Sequence, residues 1–116
     1  MNNVVSIKKA IKTLSDLKNE GKKIVLAGGC FDILHIGHII FLEKAKKQGD
    51  VLVVLLESDE SIKKSKGAGR PINTQKDRAK ILLSLKSVDI VIPLPLMEND
   101  RQYDDLVEEI HPDVLA

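Results

Sequence analysis

Apolar residues recur along this chain in two rhythms, and the alternation between them outlines its architecture. Val5, Ile7, Ala10, Ile11, Leu14 and Leu17 come at helical spacing with lysines between them, and Gly21 is a natural stop. Residues 6–20 therefore read as an amphipathic helix. Residues 23–27 are short and apolar, as a buried strand is. Residues 39–47 return to helical periodicity within a 36–48 helix that ends near Gln48-Gly49-Asp50. Val51–Leu56 is a continuous apolar run with β-branched residues, the pattern of a strand covered on both faces. Residues 62–70 are polar and glycine-bearing and read as a mobile loop ended by Pro71. Thr74 is placed to cap a helix over 75–85, with Ala79, Ile81, Leu82 and Leu83 as its buried stripe. Residues 88–92 form a third buried strand closed by Pro93 and Pro95. A helix over 101–110 follows, with Leu106, Val107 and Ile110 inside. After His111-Pro112, residues 113–116 begin a fourth strand.

Strands alternating with helices of this length predict an α/β fold: a Rossmann-like, doubly wound parallel sheet in three αβα layers with right-handed crossovers. The 116 residues suffice for one domain, made of a leading amphipathic helix (1–21) and a core (22–116). No repeat, low-complexity tract or linker interrupts it. The composition, 43% hydrophobic and 30% charged, is that of a soluble globular chain. A net charge of +1 leaves no footprint of nucleic-acid or membrane binding, so any anion site is local. With aromatics at 3%, no stacking platform for single strands is available. A single cysteine, no signal region and no apolar run of membrane-spanning length together predict a cytoplasmic protein.

The candidate chemistry lies in the turn after the first strand, Ala27-Gly28-Gly29-Cys30-Phe31-Asp32-Ile33-Leu34-His35-Ile36-Gly37-His38. Glycines allow close backbone approach to an anion, and a helix start offers free N–H groups and the positive end of its dipole. His35 and His38, three residues apart, share one helix face and can donate to the same phosphate group. The competing reading is two polar residues capping a helix. A zinc site would have only His111 and Cys30 to add, a thin inventory. Walker, dinucleotide-fingerprint, nucleophile-elbow and His-Glu-x-x-His patterns do not occur.

The stretch resembles the signature of the cytidylyltransferase-like nucleotidyltransferases, in which a glycine turn and Phe-Asp precede His-x-Gly-His. The likeness runs from about Lys22 to the chain end and is nearest to the heptose 1-phosphate adenylyltransferases. Glycerol-3-phosphate cytidylyltransferases and archaeal FAD synthetases are similar relatives. The resemblance implies transfer of a nucleotidyl group from a nucleoside triphosphate, ATP or CTP with analogy favouring ATP, to a sugar or polyol phosphate, releasing pyrophosphate. Mg2+ would ride on the triphosphate, with no resident metal site. A truncated nucleotide- or phosphate-binding module, completed by another chain or segment, is the alternative. Relatives continue beyond a Pro-Asp-Val-Leu segment like Pro112–Leu115 into a Ser/Thr-rich motif, so this chain reads as C-terminally incomplete relative to the family. Relatives also commonly dimerise through this domain, which makes a homodimer an expectation.

The resemblance also implies residue roles. His35, His38 and Lys66 would be catalytic. Gly29, Cys30, Phe31, His35, His38 and Arg78 would bind the nucleotide; Asp32, Asp59, Lys66 and Asp89 would serve the acceptor. Phe31 reads equally as core, and Asp32 reads first as a residue that holds the turn by bonding neighbouring N–H groups and second as one that faces the acceptor. Cys30 would contribute turn geometry rather than a nucleophile. Lys66 sits in a Lys-Gly-x-x-Arg-Pro segment like that of the heptose enzymes, with Lys63 and Lys64 as competitors and a solvated lysine run as the other reading. Arg78 offers a planar cation to phosphate, or else an i,i+4 surface pair. Asp59 would hold a hydroxyl or a metal-bound water, and Asp89 would either serve the acceptor or cap its strand.

Overall fold

A computed structural model describes residues 3–116. The elements in order are β1 (Asn3–Val4), α1 (Ile7–Asn19), β2 (Ile24–Gly29), α2 (Ile36–Lys46), β3 (Val51–Leu56), α3 (Asp59–Lys66), α4 (Gln75–Leu83), β4 (Ile90–Pro93), α5 (Asp100–Ile110) and β5 (Val114–Leu115). The five strands are parallel in the order β1-β4-β3-β2-β5. β3, every residue of it buried, lies at the centre, as its unbroken apolar run predicts.

Alternation along the strands divides the core into two layers. Ile24, Leu26, Val53, Leu55, Ile90 and Ile92 face α1 and α5, meeting Ala10, Leu14, Leu17, Leu106 and Ile110. Val25, Ala27, Leu52, Val54 and Val91 face α2 and α4, meeting Leu42, Ala45, Ala79 and Leu82. The expected Rossmann-like three-layer αβα sheet is therefore observed.

Two elements differ from the sequence reading. β1 completes the free edge of β4 through Asn3 N–H to Asp89 C=O at 3.1 Å and Val5 N–H to Val91 C=O at 3.0 Å. A two-residue strand has no periodicity to read. The segment read as a mobile loop is α3 over its first half. Ser58 caps α3, its Oγ accepting from Ser61 N–H at 3.0 Å, and Asp59 and Glu60 occupy the first turn with Lys63, Lys64 and Lys66 in the last. Those charges complement the helix dipole. Ile62 is the only apolar residue in α3, so no hydrophobic stripe announces the helix. The loop shrinks to the Gly67-Ala68-Gly69 turn, whose glycines take φ of 95° and 87°.

Candidate active site

β2 and β3 end in register, Gly29 beside Leu56, and the chain leaving each defines the carboxyl edge of the sheet. In open parallel sheets ligands lie at this edge. The two glycines ending β2 meet a packing requirement. A Cβ on Gly29 would meet the Phe31 ring at 3.0 Å, and one on Gly28 would run into the Tyr103 hydroxyl. Phe31 is buried with φ of 51°, a left-handed conformation that a bulky residue holds only under constraint. Its ring meets His38 edge-on, with centroids 5.2 Å apart and planes at 66°.

His35 is the N-cap of α2 and His38 its third residue, and the two form a reciprocal cap. His35 Nδ1 accepts from Gly37 N–H at 3.0 Å, and His38 Nδ1 accepts from His35 N–H at 3.2 Å. An imidazole whose Nδ1 accepts carries its proton on Nε2, so both rings present Nε2–H donors. The capping reading and the donor reading are therefore one geometry. The intervening glycine has a steric reason: a Cβ on Gly37 would lie 2.8 Å from His35 Cε1. Burial, then the neighbouring His35, then Lys66 lower the His38 pKa from 6.5, which keeps this ring neutral. The effect of Lys66 on His38 places its charge in the field of the site, at the end of α3.

Asp32 holds the turn. Its carboxylate accepts from Ile72 N–H at 2.6 Å, Asn73 N–H at 3.0 Å and Arg70 Nε at 3.2 Å, while its carbonyl accepts from Arg70 Nη2. Burial alone would raise its pKa; the main-chain donors and Arg70 outweigh that and hold it below 3.8. The turn-holding reading of Asp32 is the one its bonds match.

Two positions sit differently from their expected roles. Arg78 is 1% exposed, with Nε on Asn73 C=O at 3.0 Å, Nη1 on Cys30 and Glu57 C=O at 2.9 Å each, and Nη2 on Asp59 Oδ1 at 2.6 Å. A guanidinium enclosed by protein acceptors is not presented to a nucleotide, so the nucleotide-binding assignment is corrected to a structural one. Asp89 precedes β4 and accepts from Leu52 N–H at 2.8 Å and from Lys46 Nζ. That is the amino edge of the sheet, opposite the histidines; parallel strands separate the two ends. Asp89 caps its strand and lies apart from the site.

Asp59 remains at the site, its side chain 44% exposed and tied to Arg78 by one oxygen. Cys30 is partly buried, with its carbonyl on Arg78. The sequence reading missed Gln75, whose Nε2 joins Leu56 and Leu94 C=O at 3.0 and 2.9 Å, and Tyr103, beside Gly28. Neither belongs to a motif, and only the helix placement brings them to this edge. A cavity of about 380 Å3 opens beside Tyr103, lined by Glu57, Ser61, Glu98, Asn99 and Asp100. A second, of about 400 Å3, lies beside α3 between Asp59, Lys63, Arg70 and Thr74.

The glycine turn and the paired imidazoles lie together at the carboxyl edge of a Rossmann-like α/β sheet. Residues 26–116 match the cytidylyltransferase-like family, and the chain belongs to it. It is similar to the bifunctional protein HldE of Aliarcobacter butzleri, 51% identical over 90% of this chain, and to that of Campylobacter jejuni subsp. doylei, 45% identical over 98%. The chain spans 21% and 25% of the length of those two relatives. A solved lipopolysaccharide core biosynthesis protein from Thermoplasma volcanium is 37% identical, superposing with a TM-score of 0.68 over 82% of this chain and 73% of that one.

Proposed function

We propose that this domain transfers a nucleotidyl group from a nucleoside triphosphate, ATP by analogy with its relatives, to a sugar phosphate, with pyrophosphate as the leaving group. The observation that carries the reading is the fixed tautomer of His35 and His38, whose Nε2–H donors are set at the start of α2. A phosphomonoester with its second pKa near ~6 is already largely a dianion at neutral pH. The reaction thus needs no general base. It needs two anions aligned and the charge on the phosphorus oxygens stabilised as it grows.

Neutral imidazoles held by their own backbone suit that work, because their donors do not reorganise during the reaction. Lys66 adds a cation at the end of a helix hinged by Gly67 and Gly69. Mg2+ bound to the triphosphate would neutralise charge between its phosphates, and Asp59 is the exposed carboxylate positioned to take a water of that metal. Among the described residues no group of three potential ligands forms a metal cluster. The cavity beside Tyr103 suits the acceptor's hydroxyls: carboxylates, Ser61 and a phenol line it, and burial, with Glu57 and Asp104, raises the Tyr103 pKa and keeps it a donor.

Pyrophosphate release tests the proposal, measured with Mg2+, ATP or CTP and a panel of sugar and polyol phosphates. Release that requires a particular sugar phosphate is expected. Nucleotide binding without release under any pairing would reject transfer and leave a binding module.

A further inference from the structure

The family resemblance sends Arg78 to the phosphates, and the structure turns it inward. What its fork grips is informative. Cys30 and Glu57 are the first residues past β2 and β3, and one nitrogen, Nη1, takes both of their carbonyls at 2.9 Å. Nε takes Asn73 C=O in the approach to α4, and Nη2 takes Asp59 at the start of α3. Asp32, in the turn after β2, ties that turn to the approach to α4 in the reverse sense, accepting the Ile72 and Asn73 N–H groups. The turn holding Phe31 is therefore fastened on both sides.

We propose that Arg78 is a positioning residue that acts through Phe31 on His38: it fixes the Cys30 carbonyl, the fixed peptide keeps Phe31 left-handed, and the Phe31 ring seats the His38 imidazole. In a trans peptide the C=O and N–H point opposite ways. With its carbonyl on Arg78, the Cys30–Phe31 peptide aims the Phe31 N–H away from the guanidinium. A non-glycine residue stays at φ of 51° only where its surroundings over-determine it, and here the neighbouring residues on both sides are clamped. The ring so placed fills the space beside Gly29 and meets His38 edge-on at 5.2 Å. Lysine would preserve the charge at 78 but not the planar fork that reaches four partners. Any consequence for turnover rests on the nucleotidyl-transfer reading; the coupling of Arg78 to His38 does not.

Arg78→Lys tests this, with histidine ring signals followed by NMR across pH in the ligand-free protein. The charges that act on His38, from His35 and Lys66, are unchanged by the substitution. A loosened Phe31 uncovers the ring, so the His38 midpoint should rise toward 6.5. In the pyrophosphate assay kcat should fall about 100-fold with little change in nucleotide KM, as a slightly misplaced catalytic group requires. A folded Arg78→Lys protein with the wild-type His38 midpoint would overturn the proposal. If that variant does not fold, Phe31→Leu, which leaves residue 78 in place, tests the step from Phe31 to His38: a raised His38 midpoint supports that step, and an unmoved one overturns the proposal. Titration needs neither nucleotide nor acceptor. A wild-type protein that releases no pyrophosphate therefore counts against the proposed function and leaves the coupling to stand or fall on the NMR.

Discussion

The imidazoles of His35 and His38 are stacked, with centroids 3.9 Å apart and planes 26° from parallel, and each Nδ1 is taken by a main-chain N–H. A second proton on His38 has to go to Nδ1, where it would face the His35 N–H and break the helix cap. Burial, His35 and Lys66 already hold the folded pKa below 6.5. The folded state therefore binds fewer protons than the unfolded state between the two values. This contribution to stability is complete above 6.5 and is lost as pH falls through the folded value. Denaturant titrations between about pH 8 and about pH 5 should show that loss in the wild type and less of it in His38→Gln. Parallel curves for the two proteins would remove His38 from the acid response.

His38 should also matter more to rate than to affinity. Its Nε2–H can strengthen its bond to phosphorus oxygens as their charge grows, and removing one such donor typically costs about 100- to 1000-fold in kcat. His38→Ala should show that drop in pyrophosphate release with an intact fold. Turnover near the wild-type rate would exclude the ring from the reaction.

Gly37→Ala sets helix propensity against site geometry. Alanine inside a helix is ordinarily better than glycine by about 1 kcal/mol. Here the new Cβ would lie 2.8 Å from His35 Cε1 and 3.1 Å from Nδ1, so the imidazole must leave its cap. Helix content by circular dichroism should hold while turnover falls steeply. Unchanged turnover would show that His35 need not sit where its cap places it.

The layers of the fold were legible because burial leaves a periodic trace. The run Val51–Leu56 and the stripe Leu106, Val107 and Ile110 each state what they pack against. α3 left no such trace, since one buried isoleucine makes no stripe, although Ser58, Asp59 and Glu60 spell a capped, dipole-matched start. Within the candidate site, side-chain direction leaves no trace in the sequence. Arg78 and Asp89 are polar residues beside motif positions, but one points into the protein and the other lies at the wrong end of a strand. Direction depends on which carbonyls converge in space, and Cys30, Glu57 and Asn73 come together only through the sheet register and the α4 packing.

Asp32 should be worth more to stability than an ordinary turn aspartate. Its side chain is wholly enclosed and receives two main-chain donors besides Arg70. Asparagine would retain one oxygen and turn N–H groups toward those donors. Losing charge-assisted bonds of this kind points to a deficit of about 3 kcal/mol at neutral pH. Because the folded carboxyl lies below 3.8, its stabilisation is present above that value and declines as pH drops below it. Urea midpoints of wild type and Asp32→Asn should therefore converge in acid. A constant gap would mean that the charge of Asp32 is irrelevant and only its shape matters.

Lys66 can be separated from its neighbours without any assay of turnover. Lys63, Lys64 and Lys66 all occupy the last turn of α3, and spacing alone does not say which one faces the histidines. The depression of the His38 pKa draws on Lys66 and on neither of the others. A positive charge disfavours a second one nearby, so neutralising it must move the His38 midpoint up. Lys66→Met should raise that midpoint in an NMR titration at low salt, and Lys64→Met should leave it in place. Added salt should shrink the difference between wild type and Lys66→Met, because the lysine is exposed and its field is screened. If Lys66→Met and Lys64→Met titrate alike, Lys66 is part of a solvated run and has no special relation to the paired imidazoles.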